Sequence, residues 1–423
     1  MTAPTASRLA AYGALGLPLA MVALPVYIQA PAYYTTQMGM SLSLAGIVLF
    51  AARLIDTAQD PLLGLWVDKL ARRHALTPVM GCAALCLVVA FAALWLPPVS
   101  GDAWLAAWLA ATLVAVYLAH SLINIAYLAW AARLGDDDTL ARAAAWREGA
   151  GLVGVLLATA IPATLIAIAG TDARLAMTAF ASLFAALLIA ALWLLFRLAP
   201  PWNARAAPPG AAPKPWHAVR HNRGFRALLA PYFLNGIAVA IPATLAIFFI
   251  EDRLMAPRWV APCLTLYFVA GAAGLPAWVH IAHRIGAMHA WRLAMALAVV
   301  AFVWAALLEP GSILPFVLIC AMSGLAVGAD LALPPVLLAT RIPAGEGPAV
   351  YYGVWTLLTK LCLAIAGLTL PVLSWLGYQP GTPATGSAGH ALAFMYAGLP
   401  CVLKLAAMAL LRSARYPAQE MSS

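Results

Sequence analysis

Residues 53–73 read Arg53-Leu54-Ile55-Asp56-Thr57-Ala58-Gln59-Asp60-Pro61-Leu62-Leu63-Gly64-Leu65-Trp66-Val67-Asp68-Lys69-Leu70-Ala71-Arg72-Arg73. The first part sets Asp56 and Asp60 one helical turn apart inside an apolar run, with Arg53 one turn before them. A carboxylate in hydrocarbon costs roughly 2.5–3.5 kcal/mol on the insertion scale, so an ionisable residue kept there reads by default as functional. The second part gathers Asp68, Lys69, Arg72 and Arg73 where the apolar run stops, as a chain leaving a bilayer does. The stretch therefore describes a membrane-spanning helix with an ion or proton site in it.

The rest of the chain agrees. Of its 423 residues 65% are hydrophobic and only 9% charged, with mean hydropathy +0.91, whereas about a quarter of a soluble domain is charged. No polar stretch exceeds roughly 30 residues, too short for a separate soluble domain. The apolar start near Leu9 outruns a signal-peptide core and follows no basic cluster, so it is read as a retained first helix. The net charge of +9 sits in the loops, which excludes a nucleic-acid partner and leaves the lipid bilayer. The six cysteines fall in apolar segments without metal-ligand spacing and read as packing residues.

A spanning helix needs about 20 mainly apolar residues. Twelve such segments are predicted, over 9–35, 42–67, 78–98, 103–130, 147–168, 175–197, 226–251, 259–281, 292–308, 314–340, 350–376 and 390–412. With the N-terminus inside, 18 of the 24 Lys and Arg fall on inner segments and tails, and three (Arg174, Arg253, Arg258) on outer loops, which puts both termini in the cytoplasm. The Pro-rich, basic stretch 198–225 divides the chain into a six-helix bundle over 1–197 and a second over 226–415, followed by a cytoplasmic tail over 416–423. An internal echo, Trp66-Val67-Asp68 against Trp278-Val279-His280, recurs at an offset of 212 residues, half the chain. The expected fold is an all-α integral membrane protein of twelve transmembrane helices in two pseudo-symmetric six-helix halves.

Gly64 to Arg73 resembles the loop signature of the major facilitator superfamily, with Ala71 in place of its second glycine. Asp56-Thr57-Ala58-Gln59-Asp60-Pro61-Leu62-Leu63-Gly64 is similar to the Asp-xxx-Asp-Pro-x-x-Gly element of the glycoside–pentoside–hexuronide:cation symporters, the melibiose-permease group. Tyr12-Gly13, Tyr33-Tyr34, Ala131 to Leu134, Trp146-Arg147, Thr356 to Lys360 and Gly377-Tyr378 support the likeness along most of the chain. The resemblance implies that Asp56, Asp60, Gln59 and Ser121 bind the coupling cation, Na⁺ or H⁺, with no other metal and no cofactor. It implies solute contacts from Arg147 and Lys360, the latter close to the two carboxylates, and a gating role for Gly64, Asp68, Lys69, Arg72 and Arg73. Sugar carriers of the group have two aspartates where Pro18 and Asn124 stand here, so the ion machinery looks kept and sugar recognition altered.

The remaining polar groups admit two readings each. Arg53 could simply neutralise Asp56. Asp330, which precedes Leu331-Ala332-Leu333-Pro334-Pro335, binds solute or satisfies backbone groups freed by the prolines. Tyr127 and Trp355 line a solute site or pack, and Asn124 is taken as solute-binding. Lys404 reads as a packing or snorkelling lysine, His120 as a structural histidine, and the His217/His221 pair as part of a basic surface helix. Trp104, Trp108, Trp130 and Trp202 read as interfacial anchors. At 1.5 Å per residue, Asp60 and Asp56 lie roughly 10 and 16 Å from the end of their helix, near the midplane of a roughly 30 Å core.

No nucleophile–base cluster or nucleotide loop occurs, so the chain is not read as an enzyme. The expected function is cation-coupled symport of a small organic solute, by resemblance a sugar or glycoside, by alternating access in a bacterial inner membrane, as a monomer. The alternatives are a lysolipid or other amphipathic cargo, and a non-transporting scaffold.

Overall fold

The computed structural model describes the chain apart from residues 1–3, 25, 27–29, 31–32, 35–37, 74, 135–136, 170–172, 202–219, 344–345, 380 and 414–423. Most of the expected linker, with Trp202 and His217, and the tail over 416–423 lie outside the described residues. The regular structure among the described residues is helical: α1 (Ala6–Gly13), α2 (Gly16–Leu24), α3 (Leu42–Arg72), α4 (Leu76–Trp95), α5 (Asp102–Ala131), α6 (Asp137–Ala169), α7 (Ala173–Arg197), α8 (Arg223–Phe248), α9 (Val260–Ile285), α10 (Ala287–Ala306), α11 (Ile313–Ala339), α12 (Pro348–Gly367), α13 (Thr369–Trp375), α14 (Gly386–Ala393) and α15 (Leu399–Ser413), with short π-type turns over Phe249–Arg253 and Phe394–Gly398.

Nine helical stretches among the described residues are long and apolar enough to cross a bilayer. The expected spans outside that set are the first, second and fifth, each of which includes residues whose side chains lie outside the described set. The first is helical over α1 and α2, interrupted at residues 14–15, where Pro18 has no N–H to give Ala14, and much of it beyond Leu24 lies outside the described residues. The second, α3, carries Arg53, Asp56, Asp60, Asp68, Lys69 and Arg72, and runs on to Arg72 rather than ending at Val67. The fifth, α6, starts at Asp137, ten residues before the expected start.

The chain divides into two units. The first holds Met1–Pro215 and Ile342–Leu357, the second Trp216–Arg341 and Leu358–Ser423. The first half of α12 is thus counted with the first unit. Within the first unit α5 packs on α3 and α4, and α4 on α7. Within the second α11 packs on α9 and α10, and α10 on α15, which repeats the same pattern six helices later. The Trp66/Trp278 echo falls on the matching helices α3 and α9 but its environment differs. Trp278 is buried and donates its indole N–H to Leu325 O at 2.7 Å, whereas Trp66 is exposed.

Candidate functional site

Asp56, Gln59 and Asp60 lie at i, i+3 and i+4 on α3 and so share one face. α5 packs on that face and brings Ser121 to it. Asp56 Oδ1 accepts hydrogen bonds from Gln59 Nε2 and from Ser121 Oγ, both at 3.2 Å. Asp56, Asp60 and Ser121 are all buried, Asp60 completely. Gln59 and Ser121 are therefore gathered on Asp56, and Asp60 lies buried one helical turn away on the same helix face. The oxygen atoms of these side chains are of the hard kind that suits a proton or an alkali ion rather than a soft transition metal.

Asn124, half-buried, follows Ser121 by one turn of α5. Tyr127, expected to meet solute, is placed differently. Its hydroxyl donates to Tyr12 O at 2.8 Å, the Tyr12 hydroxyl donates back to Tyr127 O at 3.0 Å, and the two rings lie 4.5 Å apart. Both phenols are fully buried, so this pair clasps α1 to α5, and the polar atom of Tyr127 is committed to backbone.

Arg147 is positioned by the close approach of α6 to the start of the chain. A methyl on Gly13 would lie 2.6 Å from Trp146 Cβ, and one on Gly16 would clash with the carbonyl of Arg147. Only glycine lets the backbones meet so closely. Arg147 Nε donates to Glu148 Oε1 at 2.8 Å, and Nη2 donates to the same oxygen. Glu148 is a residue the sequence reading missed, because adjacent positions on a helix do not ordinarily face each other.

The gating residues divide. Lys69 and Arg73 are exposed and Arg72 half-buried. Gly64 and Asp68 instead meet the N-terminus of α12. A methyl on Gly64 would clash with the carbonyl of Ala349. Asp68 Oδ1 accepts from Ala349 N at 3.1 Å and Oδ2 from Val350 N at 2.9 Å, two of the donors a helix start leaves open. Asp68 lies just past the apolar run 42–67. Burial pushes its carboxyl up to about 6, against the pull of those two N–H groups and of Arg133 and Arg72. Trp355, on the same half of α12, is buried, while Lys360 is half-buried and belongs to the second unit.

Asp330 was expected among the solute contacts or beside the freed backbone of Pro334 and Pro335. Its carboxylate is instead committed to side chains of the second unit. Oδ2 lies 2.8 Å from Lys404 Nζ, and Oδ1 accepts from Asn235 Nδ2 at 2.9 Å and Trp291 Nε1 at 2.8 Å. Lys404 is likewise no snorkelling lysine: it is 2% exposed, and its ammonium points into the second unit. Trp130, read as an interfacial anchor, is buried with its indole N–H on Pro200 O at 3.0 Å. His120 has a ring nitrogen 3.0 Å from Leu19 O, in keeping with its structural reading.

A family model described as MFS/sugar transport protein matches residues 9–419. No curated protein sequence matches the chain. Among solved structures, a bacterial homologue of the iron transporter ferroportin in its outward-facing state superposes with TM-score 0.74 at 15% identity, covering 96% of this chain and 98% of that one. The human organic anion transporter TETRAN gives 0.65 at 19% identity, covering 96% of this chain and 100% of its own. The E. coli fucose:proton symporter gives 0.66 at 14%, covering 96% and 97%. At these identities the structures speak for the fold alone, and that fold is the all-helical one of the major facilitator superfamily.

Proposed function

The chain belongs to the MFS/sugar transport family and is a multi-pass membrane transporter of the secondary kind, not an enzyme; from that membership we propose that it is a cation-coupled symporter of a small, sugar-like organic solute. Asp56, Asp60, Gln59 and Ser121 hold the coupling ion, Na⁺ or H⁺, and no cofactor takes part. The solute meets Arg147, Asn124, Trp355 and Lys360. The protein works as a monomer in a bacterial inner membrane with both termini in the cytoplasm.

The observation that carries this reading is the buried assembly at Asp56, where Gln59 and Ser121 turn toward one carboxylate and a second carboxylate lies one turn away. Two carboxylates one turn apart, with a hydroxyl and an amide beside them, offer the hard oxygen ligands that a small cation takes. An ion whose binding changes the energy of one conformer over another is a coupling device. The contact of Gly64 and Asp68 with α12 supplies the element that makes and breaks during alternating access.

A ligand thermal-shift panel with and without Na⁺, at two pH values, tests the reading. A sugar or glycoside that stabilises the purified protein only with Na⁺, or only at the lower pH, supports it. Pro18 and Asn124, which stand where sugar carriers of the resembled group have aspartates, favour an amphipathic solute as the second reading. Stabilisation by lysolipids alone would establish that one instead.

A further inference from the structure

The second unit encloses a charge pair that the coupling scheme does not use. Four helices contribute to it: Asn235 from α8, Trp291 from α10, Asp330 from α11 and Lys404 from α15. Lys404 Nζ donates to Asp330 Oδ2 at 2.8 Å and to Asn235 Oδ1 at 2.7 Å. Asn235 Nδ2 and Trp291 Nε1 both donate to Asp330 Oδ1. Lys404 and Asn235 are 2% exposed, and Trp291 is fully enclosed.

The geometry reads as a cation site with its cation attached. Asn235 presents its carbonyl oxygen to the ammonium and its amide nitrogen to the carboxylate, the one orientation that serves both charges. The two contacts of Lys404 have the length of charge-assisted hydrogen bonds. Without the lysine, Asp330 Oδ2 and Asn235 Oδ1 would form an acidic, oxygen-lined pocket in the apolar interior. That is the chemistry that draws a monovalent ion into a transporter. Removing one member of such a pair leaves an uncompensated buried charge, whereas removing both does not.

We propose that the ammonium of Lys404 is the permanent, tethered cation of a second acidic site, closing the second unit to exchangeable ions. On the reading that Asp56 and Asp60 exchange the coupling ion, ion exchange is then confined to the first unit.

Lys404→Ala removes three methylenes and the ammonium, a space that matches n-propylammonium. In the purified variant the melting temperature falls by at least about 5 °C. n-Propylammonium restores it with a saturating dose response, and the uncharged n-propanol does not. Lys404→Ala/Asp330→Asn recovers the lost stability without amine and ignores its addition. Rescue by propanol equal to that by the amine, or a Lys404→Ala protein as stable as the parent, overturns the proposal. Should Lys404→Ala not fold, the double variant decides. A stable double variant supports the tethered cation, and one that also fails to fold refutes it. The amine rescue is read on stability alone, so it stands even if Na⁺ and pH prove to have no effect on transport. A double variant that loses the parent's thermal response to Na⁺ or pH would show the second site to be an exchange site after all.

Discussion

Gly353 faces the backbone of Asp60 so closely that a methyl group on it would lie 2.5 Å from the Asp60 carbonyl oxygen and 3.1 Å from Pro61 Cα. α12 therefore crosses α3 at the very turn that carries the buried carboxylate, with Gly64 making the matching contact one turn further on. Overpacking of a tight interface costs typically about 1–3 kcal/mol. Gly353→Ala is expected to weaken this conformer selectively. A cysteine pair placed across α3 and α12 should cross-link more slowly in the variant, while overall folding is retained. Unchanged cross-linking would mean that the helices part without cost and that the contact controls nothing.

Asp68 ties the same crossing to pH. Its carboxyl is raised from 3.8 to about 6 by burial, so the folded chain holds its proton more tightly than the unfolded chain does. Between those two values the native state binds more protons, and stability rises as the pH falls. The melting temperature of the parent minus that of Asp68→Asn should therefore increase as pH drops from about 7 toward 5. A difference that shrinks over that range contradicts the assignment.

Glu148 neutralises Arg147 by taking both Nε and Nη2 on one oxygen. On the proposal that Arg147 meets the solute, a solute arriving there finds a guanidinium whose charge is already answered. Glu148→Gln should leave Arg147 with an uncompensated positive charge and shift the preference toward anionic solutes such as uronates. Competition of uronate against the neutral sugar, measured on both proteins, reads this directly. Equal discrimination by the two would remove Glu148 from the specificity machinery.

On the proposed coupling scheme, loss of a carboxylate at Asp56 or Asp60 should uncouple transport rather than unfold the protein. Asp60→Asn keeps the shape and removes the charge. In proteoliposomes it is expected to abolish solute accumulation against a gradient while leaving equilibrating exchange measurable. Ser121→Ala takes away one donor to Asp56 and should raise the ion concentration needed for half-maximal uptake severalfold. Full accumulation by Asp60→Asn would sink the coupling role.

What the sequence made legible follows from distance along the chain. Asp56, Gln59 and Asp60 were readable because a charge within an apolar run is conspicuous and i, i+3, i+4 spacing is a local rule. The Asp330–Lys404 pair was not, since its partners come from α8, α10, α11 and α15 and no local rule joins residues 74 positions apart. Each looked like an isolated polar residue in its own segment. The interruption at residues 14–15, one turn before Pro18, was open to reading from the missing N–H but was hidden by the unbroken apolar composition of residues 9–35. The contacts that Gly353 and Gly64 make between α12 and α3 left no charge signature at all, because backbone approaching backbone is marked only by the absence of a side chain.

Because residues 342–357 are counted with the first unit, the polypeptide does not come apart cleanly at its Pro-rich midpoint. A fragment ending near residue 215 would leave Asp68 without the amides of Ala349 and Val350, and would bare Gly64 and the backbone of Asp60 on α3. Split-gene complementation would then require the downstream fragment to lend the first turns of α12 back to its sister.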